Sequence, residues 1–384
     1  CAFALKMLAF SLPFMAISAC YAGYFVSRRE VQPNCLAQTL EQAVRLGIVA
    51  LVVVMFRNSG LSVLLGMVVL ANTISEGVSC LFLMLACRRH PILARAIRPE
   101  KGGIRKIAVP VAASRYLSTG LHATENMLIP TAIARYTGSY SLGLAQFGAL
   151  KGMAIPLLFF PASFLNALSS LLVPEVTDTS ARADWRSTRS IVARALGITI
   201  MLSVMISGVF FIYGDLLGQV LFHSETVSMM LRVLAPITPF MYMDTIADGL
   251  LKGLDQQGKT LRNNTIDSTL RIILIVFAVP AFGIYGFLGV MVFSNILVAS
   301  LNMGTLLKAC RLSFQWKEWV MKPLVALGLA TAAWAFLPLR GTILKMIAGI
   351  AVWCGIYLLF YWLTLPEKES IIEKRRARER KKET

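Results

Sequence analysis

The chain reads as an all-α polytopic membrane protein, on three observations. Hydrophobic residues make up 57% and charged residues 15%, with a mean hydropathy of +0.67; a soluble chain carries about 25% charged residues. The apolar residues fall in continuous runs of about 20, the length an α-helix needs to cross a bilayer, rather than in the short alternating segments of a membrane β-barrel. The chain also repeats itself without gaps. Shifted by 226 residues, Lys6–Arg45 lies over Arg232–Arg271. Pro13-Phe14-Met15 falls on Pro239-Phe240-Met241, Gly23 on Gly249, Thr39 on Thr265, Glu41 on Asp267 and Arg45 on Arg271. Membrane proteins built from two similar halves bind substrate between the halves and rock one against the other, so the repeat points to transport.

Eleven spans follow in order. Residues 3–26 are hydrophobic but lack the basic n-region and small-residue cleavage site of a signal peptide. Residues 36–56 and 61–87 complete a three-helix group, and a basic loop over 88–106 follows, expected along the inner membrane surface. Residues 107–130 form the most polar span. Residues 141–173 are too long for one straight helix and should break at Pro156 or Pro161. Spans 191–213, 227–251, 264–281, 284–307, 320–338 and 342–364 lead to a basic tail, read as a frayed amphipathic helix. The expected organisation is 1–87 as the C-terminal half of lobe 1, 88–106 as the inter-lobe loop, 107–308 as a six-helix lobe 2, 309–365 as two additional helices, and 366–384 as the tail. By the repeat offset, the first lobe would begin about 120 residues before Cys1, so roughly three helices are expected ahead of it.

Charge placement sets orientation. Alternate loops hold Arg28 and Arg29; the cluster from Arg88 to Lys106; Arg182 to Arg194; Lys252, Lys259 and Arg262; Lys308 to Lys322; and the tail. The opposite loops hold only Arg57, Arg135 and Arg340. The positive-inside rule makes the first set cytoplasmic, with the C-terminus inside and Cys1 outside, in a bacterial cytoplasmic membrane. The net charge of +18 is then an orientation signal plus tail contacts with anionic lipid, and does not indicate nucleic acid. The seven cysteines form no framework, and most read as small apolar fillers, with Cys35 and Cys310 on the cytoplasmic side.

Ionisable groups at membrane depth are costly and mark function. Glu41 and Arg45 are four apart, as are Asp267 and Arg271 one repeat later. An acid four residues before a base neutralises it, so each pair either lets its helix insert or opens toward substrate. Arg115, His122 and Asn126 share a helix face, with Ser118, Thr119 and Glu125 close by; that stripe lines a cavity or packs helix on helix. Lys151 has no nearby carboxylate on its own helix, and Gly148 and Gly152 around it permit close approach of another chain. Arg115 and Lys151 together suit a phosphate or pyrophosphate, Arg as a fork and Lys as a point charge, with Glu125 as counter-ion in the empty site. Glu76, Asp244 and Asp248 are further buried acids that suit a coupling monovalent cation, or helix capping and helix–helix hydrogen bonds. No HExxH, GxSxG, P-loop or paired-cysteine pattern appears, so neither an enzyme nor a bound metal or cofactor is expected.

The run Gly148-Ala149-Leu150-Lys151-Gly152-Met153-Ala154-Ile155-Pro156-Leu157-Leu158-Phe159-Phe160-Pro161, followed by Leu168 to Glu175, resembles the stage V sporulation protein B branch of polysaccharide flippases. So do Ser11-Leu12-Pro13-Phe14 with Gly23-Tyr24-Phe25, and Gly249 to Gly258. That branch lies in the multidrug/oligosaccharidyl-lipid/polysaccharide exporter superfamily, with the lipid II flippase MurJ. The resemblance implies a MATE-like, two-lobe inverted-V bundle with two extra C-terminal helices, fourteen in all, the first three missing here. It implies flipping of an undecaprenyl-(pyro)phosphate-linked oligosaccharide or peptidoglycan precursor by alternating access, and a role in the cell wall or in sporulation. It places Lys151 where relatives carry a cavity arginine. The substrate-binding candidates are Lys151, Arg115, Glu125, His122, Asn126, Arg45 and Arg271. A cation-coupled multidrug antiporter of the same superfamily, and an inactive or scaffolding product, are the competing expectations; the oligomeric state is open, with a monomer as the default.

Overall fold

The computed structural model describes residues 2–27, 30, 32–56, 60–89, 103–335 and 343–363; the 88–106 loop from His90 to Gly102 and the tail lie outside the described residues. The chain divides into two compact units, Cys1–Gly103 and Ile104–Thr384.

The first unit holds α1 (Ala2–Ser27), α2 (Gln32–Met55) and α3 (Leu61–Arg89). Helix α3 packs along both α1 and α2. Buried small side chains on α1 and α3, Ser11 on one and Ala71, Ser75 and Ser79 on the other, let the backbones approach. Phe25, Ala37, Leu83 and Cys87 form an apolar plug at one end of this unit. Phe10, Leu12, Val54 and Met55 face outward, where lipid is the solvent.

The second unit starts with α4 (Gly103–Thr137). The long fifth span is then built in pieces: α5 (Tyr140–Ala149), a π turn (Leu150–Ala154), α6 (Ile155–Phe159) and α7 (Ala162–Ala181). The break falls at Phe160–Pro161, because Pro161 has no N–H to continue the ladder. Pro156 instead sits in the first turn of α6, where it is tolerated. Beside the break, the Leu158 carbonyl accepts a hydrogen bond from the Tyr242 hydroxyl at 2.5 Å.

Helix α8 (Trp185–Phe222) is capped by Asp184, which accepts from the Ser187 amide. His223 closes α8 in the left-handed conformation, and Ser224 caps α9 (Glu225–Leu234). A single 3₁₀ turn (Ala235–Ile237) that contains Pro236 joins α9 to α10 (Thr238–Gly253), which has Pro239 in its first turn. Helix α11 (Gln257–Cys310) is two spans joined at Gly283, whose φ of 60° and ψ of −137° leave the helix. A Cβ at Gly283 would also meet the Tyr136 ring at 2.5 Å, so both backbone and space require glycine there. The two halves fold back as a hairpin, since Asn263 bonds Asn302 and Asp267 bonds Ser294.

A π turn (Lys317–Met321), α12 (Lys322–Ala335) and α13 (Ile343–Leu363) finish the unit. These two helices dock on α8. Trp334 donates to the Tyr213 hydroxyl at 2.9 Å, Tyr357 donates to the Met201 carbonyl at 3.2 Å, and Trp353 lies against Gly208.

Seven of the described helices are long and apolar enough to cross a bilayer, and the 54-residue α11 supplies two spans. Helix α4 with its polar face, the broken α9–α10 element and the short α12 account for the other sequence-expected spans. The architecture is that of an all-α, multi-pass membrane protein. The six described cysteines are free thiols; Cys310 is buried, and its carbonyl accepts from Arg189.

Candidate functional site

The α11 hairpin brings polar side chains from distant sequence positions to one level of the second unit. Asn263 donates to Asn302 at 2.9 Å and to Thr305 at 3.1 Å, and Asn302 donates onward to Asp244 of α10 at 2.7 Å. The Ser294 hydroxyl donates to Asp267 at 2.6 Å. Beside this network α4, α10 and both halves of α11 enclose a cavity of about 390 Å³, lined by Ser118, Thr119, His122, Asp244, Asp267, Arg271, Ser294 and Asn295 among others.

Arg271 is the centre of charge. Its Nε donates to Glu125 Oε1 at 3.2 Å, and its Nη2 lies 3.4 Å from Asp267 Oδ2 and 3.5 Å from Ser268 Oγ. Glu125 also takes His122 Nδ1 at 3.4 Å. The carboxylates are 8% and 7% exposed and the arginine 21%, so all three are held out of water with at least one partner each, as buried charge requires.

The pair Asp267–Arg271 forms, and so does Glu41–Arg45 in the first unit at 2.6 Å, where Arg45 Nε also reaches Ser75 Oγ at 3.4 Å. Glu125 takes Arg271 as its described cationic partner rather than Lys151, because the α11 hairpin presents Arg271 to α4. The stripe on α4 runs through Ser118, His122 and Glu125, with Ser118 and His122 on the cavity wall; Asn126 is exposed and does not line it. The Arg115 side chain lies outside the described residues. Asp244 lines the cavity, while Asp248 pairs with Lys252 one turn along its own helix. Glu76 accepts from Asn72 at 2.9 Å, and its Oε2 is buried without a hydrogen-bond partner among the described residues.

Lys151 sits in the π turn, a local widening of the helix that recurs at functional sites. It is exposed and makes no ion pair with a described residue. The charges that act on it are those of Arg271 and Glu125. The close approach expected at Gly148 and Gly152 does not form: a Cβ at either would meet nothing within 4 Å. There the glycines accompany the π turn rather than a helix contact.

Asn263, Asn302, Ser294 and Thr305 were not expected in the site. The sequence signal for them is the two-residue gap between spans at 282–283, which makes a tight hairpin and so brings residues of the two flanking spans face to face. The described cavity is lined by two carboxylates, Asp244 and Asp267, against one guanidinium, Arg271, so the cavity on its own suits a cation; the unpaired Lys151, on which Arg271 and Glu125 act, suits an anion.

The comparisons with known proteins agree with this architecture. The chain is 23% identical over 321 residues to stage V sporulation protein B of Bacillus subtilis (strain 168), an alignment that covers 81% of this chain and 62% of that protein. It is 21% identical over 313 residues to sporulation protein YkvU of the same organism, over 79% of this chain and 70% of the relative. Among solved structures it resembles the lipid II flippase MurJ in an inward closed conformation, with a TM-score of 0.66 and 12% identity, over 95% of this chain and 75% of that one. It also resembles an inward-facing multidrug resistance MATE family transporter of the MOP superfamily, with a TM-score of 0.60 and 14% identity, over 81% and 72%. No protein-family model matches the chain. The chain is therefore homologous to stage V sporulation protein B, of whose length it spans less than two thirds, and has the MurJ/MATE fold.

Proposed function

We propose that the chain acts as a flippase that carries a polyprenyl-(pyro)phosphate-linked saccharide across the cytoplasmic membrane by alternating access of its two units. The observation that carries the proposal is Lys151, a lysine in a π turn of a membrane helix, unpaired among the described residues and close enough to Arg271 and Glu125 for their charges to act on it. An ammonium with no ion-paired carboxylate is free to meet an arriving phosphate through charge-assisted hydrogen bonds. The similarity to stage V sporulation protein B and the MurJ-like fold support the same reading. On this reading the arginine- and lysine-rich loops and the C-terminus face the cytoplasm, and Cys1 faces outward. An inside-negative potential then drives the anionic head group outward, by about 2.3 kcal/mol per charge per 100 mV. Lys151, Arg271 and Arg115 are the cations of the second unit proposed to meet the head group, with Glu125 holding Arg271 until it arrives; Arg45 is a separate candidate in the first unit.

The acid-rich cavity favours a second reading, a cation-coupled multidrug antiporter of the MATE type, in which Asp244 takes the coupling cation. Complementation of a strain depleted of its lipid-linked-saccharide flippase separates the two. The flippase reading requires loss with Lys151→Ala and retention with Asp244→Asn. The antiporter reading requires the reverse pattern in an organic-cation efflux assay.

A further inference from the structure

A second cavity, of about 600 Å³, lies in the same unit between α8, α10, the C-terminal half of α11 and the α12 element. Its wall is apolar, from Pro236 and Pro239 at one end to Phe314, Trp316 and Trp319 at the other. Trp319 and Val320 reach it because the π turn Lys317–Met321 turns them inward. Apolar space of this size forfeits packing contacts unless something fills it, and in a bilayer the available filler is a hydrocarbon chain.

The mouth tells which chain. Phe314 and Trp316 are exposed, as aromatic residues at the headgroup level are. Lys308, Arg311 and Lys317 flank the lining residues Leu307, Phe314 and Trp316 in sequence; all three are exposed and none pairs with a described carboxylate. Lys322, by contrast, is neutralised by Glu318. An apolar slot whose aromatic lining residues are flanked in sequence by three exposed cations matches a lipid with an anionic head and an acyl chain. We propose that this cavity holds one acyl chain of an anionic phospholipid, its phosphate held by Lys308, Arg311 and Lys317. The proposal is independent of what the protein transports.

Quenching of tryptophan fluorescence by brominated lipid tests it on the protein reconstituted in phosphatidylcholine vesicles. Brominated phosphatidylglycerol should quench along a saturating curve, reaching half-effect at about fivefold lower mole fraction than brominated phosphatidylcholine, from the attraction of basic side chains to anionic lipid. Trp316→Phe with Trp319→Phe should remove the saturating component, which assigns it to this cavity. Lys308→Gln, Arg311→Gln and Lys317→Gln together should make the two lipids equal. Gly304 lines the cavity, and a Cβ there meets nothing within 4 Å, so Gly304→Phe should direct its ring into the space and abolish saturation. Equal half-effects for the two lipids in the unaltered protein would overturn the proposal, as would a preference that survives both Gly304→Phe and the triple substitution.

Discussion

Arg271 on α11 donates through Nε to Glu125 on α4 at 3.2 Å, across 146 positions of sequence, and ties the site's two polar helices together. Removing Arg271 strands two buried carboxylates, Glu125 and Asp267, whereas removing Glu125 leaves Arg271 with Asp267 still 3.4 Å away. Arg271→Met should therefore destabilise more than Glu125→Gln, by about 3 against about 1–2 kcal/mol. The double substitution should cost less than the sum. Thermal unfolding in detergent of the two single variants and the double reads this directly, and additive losses would show that the pair is not coupled.

Lys151 should behave in the opposite way. It is exposed and unpaired among the described residues, so Lys151→Ala should leave stability within about 0.5 kcal/mol. Complementation should nevertheless fail, while Lys151→Arg, which keeps the charge, should retain it. Loss of thermal stability in Lys151→Ala would mean that the lysine is structural.

Helices α7 and α10 meet through Gly249. A Cβ there would lie 1.8 Å from Ser169 Oγ but 3.2 Å from Ser169 Cβ. Gly249→Ala should cost roughly 1–3 kcal/mol by overpacking. Adding Ser169→Ala should recover most of that, since the clashing atom is the hydroxyl oxygen. Failure of the rescue, measured by the same unfolding assay, would place the strain in the backbone instead.

Outside the membrane, Asp184 accepts from the side chain and amide of Ser187, which holds its carboxyl below the usual aspartate range. A depressed folded-state pKa gives a contribution that is full above the unfolded-state pKa and fades as pH falls through the folded one. Amide exchange at the first turn of α8 should thus lose protection on acidification in the native protein. Asp184→Asn, still a good cap, should keep its protection at all pH values tested. Equal acid sensitivity in both would assign the effect elsewhere.

Much of this arrangement is written locally. Hydropathy places seven of the described helices, the prolines at 156 and 161 bracket the break, and the gap at 282–283 places the hairpin, because each depends on residues within a helix length. The pairs Glu41–Arg45 and Asp267–Arg271 are legible for the same reason: four residues is one turn. The Glu125–Arg271 bond is not, since it depends on which face of α11 turns toward α4. Nor are the tight glycine contacts. Gly148 and Gly152 look like a packing motif and meet nothing, whereas Gly208, with Trp353 2.3 Å from its would-be Cβ, looks ordinary in sequence. Close approach is decided by the neighbour, which a single helix does not specify.

The most direct test of the central claim is translocation itself. The purified protein, in vesicles loaded from one side with a fluorescent undecaprenyl-pyrophosphate saccharide, should expose the head group on the other side at a rate that an inside-negative potential increases. Lys151→Ala should cut that rate at least tenfold. Absence of protein-dependent translocation under these conditions, with organic-cation exchange in the same vesicles, would contradict the flippase account and leave the antiporter.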